Sequence, residues 1–218
     1  MLDNKGFDMW ADGYDKSVNF SEENNEYPFA GYKDVLNYIY NQVRERNSAN
    51  ILDIGFGTGV LTTRLYDTGY NTTGIDFSSN MIDIAKKKMP KATLINWDFS
   101  KGIPDEIKNT RFDYIISTYA IHHLTNKEKV GFIELLIDLL NENGKVLIGD
   151  ISFETRNELE ICKEKYKELW DDDESYFVAD EIMKDLNHKY SCVYTKISNC
   201  AGVLTISNQS DGGSHENS

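Results

Sequence analysis

The sequence predicts an α/β fold: a mostly parallel sheet with helices on its faces, closed at one edge by an antiparallel hairpin. Three observations predict it. Short β-rich apolar runs alternate with stretches of helical spacing. The last two strand-like runs lie too close together for a helical crossover. The first strand runs straight into a glycine-rich turn. With 218 residues, 40% of them hydrophobic, the chain is long enough for one domain with a substantial core.

Taken in order, residues 28–46 form the first helix candidate, with Phe29, Tyr32, Val35, Leu36, Ile39 and Val43 on one face. Strand-like runs follow at residues 50–54, 71–75, 93–97, 112–117 and 145–151. Each of the first four is followed by turn residues and a helical or looped stretch. Residues 125–140 carry Val130, Ile133, Leu136, Ile137 and Leu140 at helical spacing, and residues 154–170 carry Leu159, Cys162, Tyr166 and Leu169. Such βαβ alternation builds a parallel sheet. Residues 190–198 and 201–207 are separated only by Asn199-Cys200 and therefore pair as a hairpin, giving seven strands. Three segments result: an N-terminal helical lid or cap at 1–48, a core at 49–207, and a polar tail at 208–218 that is expected to be disordered.

Charge narrows the partners. There are 36 acidic residues against 23 basic, a formal charge of −13. Nonspecific nucleic-acid affinity comes from Lys and Arg neutralising phosphates, so nucleic acid is disfavoured as a partner. No run approaches the ~20 apolar residues of a membrane span. The first residues show no basic segment leading into an apolar run, and the three cysteines have no CxxC pairing. The expectation is a cytoplasmic protein without membrane attachment, disulfide or metal. Lys86-Lys87-Lys88 with Lys91 is expected to be a solvated helix end favoured by the dipole. Asp171-Asp172-Asp173-Glu174 is expected to be a solvated loop, with a metal site as the alternative reading.

The most informative stretch is Ile51-Leu52-Asp53-Ile54-Gly55-Phe56-Gly57-Thr58-Gly59-Val60-Leu61. Glycine is required where backbone turns sharply or approaches a ligand closely. The spacing is neither GxGxxG, since position 60 is Val, nor a P-loop, since no Gly-Lys-Ser/Thr follows. Asp53-x-Gly55-x-Gly57-x-Gly59 resembles the first motif of the class I S-adenosylmethionine (SAM) dependent methyltransferases. The later strands agree with that resemblance: Gly74-Ile75-Asp76, Asn96-Trp97-Asp98-Phe99, Phe112-Asp113-Tyr114-Ile115-Ile116-Ser117 and Asn143-Gly144-Lys145-Val146-Leu147-Ile148 stand where the family places its motifs. The resemblance implies a Rossmann-like, doubly wound, seven-stranded sheet whose last strand is antiparallel. The motif order and Tyr119-Ala120-Ile121-His122-His123-Leu124 are also similar to the uncharacterised YrrT-type methyltransferases.

By resemblance, Gly55, Gly57 and Gly59 form the loop on which the methionine part of SAM lies, and Asp53 supports that loop or meets the ammonium group. Asp76 holds the ribose, because a carboxylate accepts from both of its hydroxyls. Phe77 and Met81 pack on the adenine, with core packing as the alternative for Phe77, and Trp97 reads as ordinary packing. Asp98 and the backbone of Phe99 read the base edge, and Ser117 borders the transferred methyl. Trp10-Ala11-Asp12-Gly13-Tyr14-Asp15 resembles the start of small-molecule members, in which the tyrosine reaches the SAM carboxylate. A surface anchor for the first helix is the other reading of Tyr14.

The acceptor is expected above the end of the fourth strand, outside the carboxyl ends of the sheet. Two histidines follow there. Either His122 or His123 can act as a base when the acceptor must lose a proton, the other bonding backbone. No Asn/Asp-Pro-Pro-Tyr/Phe follows the fourth strand, no Pro-Cys nucleophile is present, and Ser117 stands where catechol-type members carry an acidic metal ligand. These absences favour a small-molecule methyl acceptor. RNA or protein methylation, and a non-catalytic SAM-binding module, are the alternatives.

Overall fold

The computed structural model describes residues 26–209. Tyr14, the Trp10–Asp15 motif and the tail beyond Gln209 lie outside the described residues. Strands β1 (Asn50–Ile54), β2 (Asn71–Asp76), β3 (Thr93–Asn96), β4 (Phe112–Thr118), β5 (Leu140–Phe153), β7 (Tyr190–Lys196) and β8 (Ala201–Asn208) form one path in the order β3-β2-β1-β4-β5-β8-β7. A two-residue strand β6 (Phe177–Val178) pairs with the end of β5. Pairing is parallel from β3 through β5 and antiparallel for β5–β8 and β8–β7, as the close spacing of the last two runs requires. The strand order reverses between β1 and β4, which opens a crevice at their carboxyl ends.

Helices cover both faces, and the period of two along each strand decides which residue faces which. Ile51, Tyr114, Ile116, Leu147 and Val203 join a core with α1 (Tyr32–Val43), α2 (Val60–Asp67) and α5 (Arg156–Lys165). Their neighbours Leu52, Ile115, Val146, Ile148 and Leu204 join a second core with α4 (Asn126–Ile137) and α6 (Ala179–Leu186). Phe56 packs with Ile82, Ala85 and Met89, which belong to α3 (Ser79–Lys88) and its C-terminus. Helix α1 sits directly on β5: a Cβ at Gly149 would come within 2.4 Å of Val35 Cγ1.

The predicted boundaries shift for identifiable reasons. α1 begins at Tyr32 because Gly31, at φ 78°, turns the chain into it. α4 starts from a Thr125–Glu128 capping box and stops at Ile137, since Leu139 accepts from Phe112 N–H and Leu140 enters β5. The second long helix shortens to Arg156–Lys165 between a Thr155 cap and Tyr166. Leu169, expected on its buried face, is 63% exposed. Beyond the helix, Trp170 stacks on Tyr27 at 5.2 Å between ring centroids. No helix among the described residues is long and apolar enough to cross a membrane.

Candidate functional site

The glycine loop joins β1 to α2 beside the crevice. Gly55 has φ +67°, and a Cβ there would lie 2.5 Å from the Cβ of Ala120, so the loop can pass under the segment after β4 only without a side chain. Gly57, at φ +56°, differs: a Cβ there would meet no atom of the described residues within 4 Å. Its N–H donates to Asp76 Oδ2 at 2.8 Å. Lys88 reaches back from the end of α3 and donates to the Thr58 carbonyl at 2.8 Å, so this lysine braces the loop, although it is exposed like Lys86 and Lys87.

Asp53 is 1% exposed. Its Oδ2 accepts from the Thr62 hydroxyl at 2.6 Å, and its Oδ1 has no partner. Burial pushes its carboxyl up to about 7, the Thr62 hydrogen bond opposing and the nearby Asp76 charge adding to the rise. A buried oxygen left unpaired in this way is costly unless a ligand satisfies it.

The other predicted residues cluster around the same strand ends. Asp76, 4% exposed, also accepts from Ser78 N–H at 2.9 Å. Phe77 is half-buried, and its carbonyl accepts from Asn96 at 2.9 Å. Met81 is buried in the first turn of α3, where its N–H donates to the Ser78 cap. Asp98 caps the turn Phe99–Lys101 and pairs with Lys101 at 3.2 Å. Partial burial acts to raise its carboxyl, but the Ser100 hydrogen bonds and Lys101 outweigh that and hold it below the usual range. Phe99 is buried against Phe132. Trp97 is half-buried and donates to the Gly102 carbonyl at 3.0 Å, as a packing residue would. The Ser117 hydroxyl donates to the Ile54 carbonyl at 3.0 Å, tying β4 to β1.

After β4, a turn at Ile121–His123 presents the two histidines, with ring centroids 4.3 Å apart. His122 Nδ1 lies 2.7 Å from Asp150 Oδ1, and its backbone N–H donates to Asp150 Oδ2 at 3.1 Å. Its Nε2 lies 3.5 Å from Glu174 Oε1. Burial acts against charge on this ring, but Asp150 and Glu174 together hold its pKa above the ordinary value. Burial and the neighbouring His122 push His123 down to about 4. Lys129 is wholly buried, and its ammonium donates to the carbonyls of Leu124 and Ser175.

Asp150, Glu174, Lys129 and Ser175 are the site residues that sequence reasoning missed. A signal existed for Asp150, an acid in the apolar run Val146-Leu147-Ile148-Gly149-Asp150-Ile151. For Glu174 the signal was its acidic run, read as a solvated loop in preference to a metal site; the fold brings its half-buried side chain to His122.

The model of a methyltransferase domain matches residues 45–210. An uncharacterized methyltransferase of Oceanobacillus iheyensis is 34% identical over 191 residues, covering 85% of this chain and 86% of the relative. One of Anoxybacillus flavithermus is 35% identical over 193 residues, covering 88% and 82%. Among solved structures, DhpI in complex with SAH has the same fold, with a TM-score of 0.69, 15% identity and 94% of each chain covered. Magnesium protoporphyrin IX methyltransferase from Synechocystis PCC 6803 with bound SAM has a TM-score of 0.67 at 16% identity, covering 96% and 99%. The chain belongs to the methyltransferase-domain family, in the S-adenosylmethionine-dependent class that its strand-end motifs resemble.

Proposed function

We propose that the chain transfers the methyl group of SAM to a small-molecule acceptor in the cytoplasm. The observation that carries the cofactor half of this reading is the convergence of Asp53, the loop Gly55–Gly59 and Asp76 at the reversal of strand order. The residues fit the cofactor: the buried, unpartnered Asp53 Oδ1 suits a donor, and Gly57 leaves the loop surface bare of side chain. When bound, SAM supplies an electrophilic methyl on a sulfonium. Asp53 then balances the ammonium, and Asp76 accepts from the ribose hydroxyls. Phe77 and Met81 flank the base, with Asp98 and Phe99 at its edge; Tyr14 closes the carboxylate end.

The acceptor side is the surface after β4, with His122 and His123. Asp150 occupies His122 Nδ1, so Nε2, which faces Glu174 at 3.5 Å, is the nitrogen left for that side. In-line displacement needs chiefly positioning of the acceptor atom and exclusion of water, which the rigid Asp150–His122 pair favours. The net charge of −13, with Lys88 committed to the glycine loop, supports a small acceptor over a polyanion. Three cysteines without a disulfide suit a reducing compartment.

Calorimetry of the purified chain with SAM and S-adenosylhomocysteine tests the cofactor half; absence of binding to both overturns it. Labelled SAM incubated with low-molecular-mass and macromolecular fractions of a cell extract tests the acceptor class. Label confined to protein or RNA overturns the small-molecule reading.

A further inference from the structure

The cofactor reading leaves one cluster unused. The ligand-type atoms of His122, His123 and Glu174 all lie within 4.8 Å of one another. His122 Nε2 and Glu174 Oε1, at 3.5 Å, are farther apart than a charge-assisted hydrogen bond of about 2.7–2.9 Å. They match the ~3.3 Å edge of a tetrahedron built on metal bonds of about 2.0–2.1 Å.

Two further features organise the group. Asp150, wholly buried, meets His122 Nδ1 at 2.7 Å and accepts from its backbone N–H. A carboxylate on one ring nitrogen fixes the tautomer and turns the other nitrogen's lone pair outward, the support that metal-ligating histidines receive. The two loops carrying the ligands are also clamped together. Ser175 N–H donates to the His122 carbonyl at 2.8 Å, and the Lys129 ammonium bridges the carbonyls that follow His123 and Glu174. The Lys129 charge opposes a second cation nearby, and the carboxylates of Asp150 and Glu174 offset it while the ammonium stays tied to those carbonyls. A cavity of about 200 Å³ borders Glu174, Ser175 and Tyr176 on the side away from both histidine rings, neither of which lines it.

We propose that His122, His123 and Glu174 form a site for a divalent transition-metal cation, with Asp150 orienting His122. Two imidazoles and one carboxylate suit zinc, cobalt or iron(II) better than magnesium, which prefers an all-oxygen shell. The open positions would take an oxygen, nitrogen or sulfur atom of the methyl acceptor; this role, though not the site, rests on the proposed methyl transfer.

The test is titration of EDTA-treated full-length protein with cobalt(II), followed by visible absorption, and with zinc by calorimetry. One equivalent is expected to bind and give a ligand-field band. His123→Ala and Glu174→Gln are each expected to weaken zinc binding at least tenfold while leaving SAM affinity unchanged. If Asp150→Asn folds, it is expected to weaken metal binding by about 10–100-fold. No band and no heat with wild-type protein overturn the proposal, even if no variant folds. Binding that persists unchanged in both ligand variants overturns it as well. Metal binding without SAM binding would keep the site and defeat the methyltransferase reading.

Discussion

The backbone N–H of Gly57 donates to Oδ2 of Asp76 at 2.8 Å, so the glycine loop and the end of β2 form a single hydrogen-bonded unit. The other oxygen of Asp76 accepts from Ser78 N–H at 2.9 Å and fixes the approach to α3. The residue predicted to hold the ribose thus also shapes the loop. Asp76→Ala is expected to weaken SAM binding by about 1–3 kcal/mol and to lower thermal stability, because two N–H groups lose a charged acceptor. Calorimetry and a melting curve check the two effects; loss of affinity without loss of stability would assign Asp76 to the ligand alone.

Gly55 and Gly57 are expected to respond differently to alanine. At Gly55 the new Cβ meets Ala120 in addition to the positive φ, so overpacking of about 1–3 kcal/mol adds to backbone strain of about 1–2 kcal/mol. At Gly57 only the strain applies, and the methyl projects where the cofactor is proposed to lie. Chemical denaturation should rank Gly55→Ala as the less stable variant. Gly57→Ala should fold and bind SAM at least tenfold more weakly.

Asp53 predicts a pH dependence. Its folded pKa, near 7, lies above its ordinary 3.8, so the fold favours the protonated form. The stability it contributes is fully present below about pH 4 and is lost as pH rises through about 7. Other carboxylates titrate oppositely, so the measurable quantity is the difference between wild type and Asp53→Asn. Relative to that variant, ligand-free wild type should lose melting temperature steadily from pH 4 to 7. A flat difference would place Asp53 in a better-solvated environment.

Lys129 is a buried cation whose ammonium meets two backbone carbonyls. Lys129→Met keeps the length but strands the carbonyls of Leu124 and Ser175, at an expected cost on the order of 1–3 kcal/mol. Urea denaturation measures it. Unchanged stability would mean that the carbonyls find other partners.

The local pattern made most of the sheet legible. Apolar runs of strand length, the hairpin spacing and the Asp53–Gly59 turn each depend on near neighbours in sequence. Leu169 shows where that logic stops: its spacing fitted a longer helix, yet the chain leaves the helix at Lys165 and Trp170 stacks on Tyr27, 143 positions away in sequence. The short strand β6 carried too little pattern of its own, and its place comes from pairing with β5; helix α6 does carry Ala179, Ile182, Met183 and Leu186 at helical spacing, a local signal that sequence reasoning missed.

By itself, the sequence determined the doubly wound sheet, its antiparallel edge and the acids at the ends of β1 and β2, because strand period and glycine conformation are local properties. Only the tertiary structure decided what the carboxylates touch. Asp76 binds the loop nineteen residues earlier. Asp150 holds a histidine twenty-eight residues away. Glu174 leaves an acidic run to face the same ring. Such pairings arise where separate loops meet above the sheet, and their free energy depends on burial and on distances that no local spacing records.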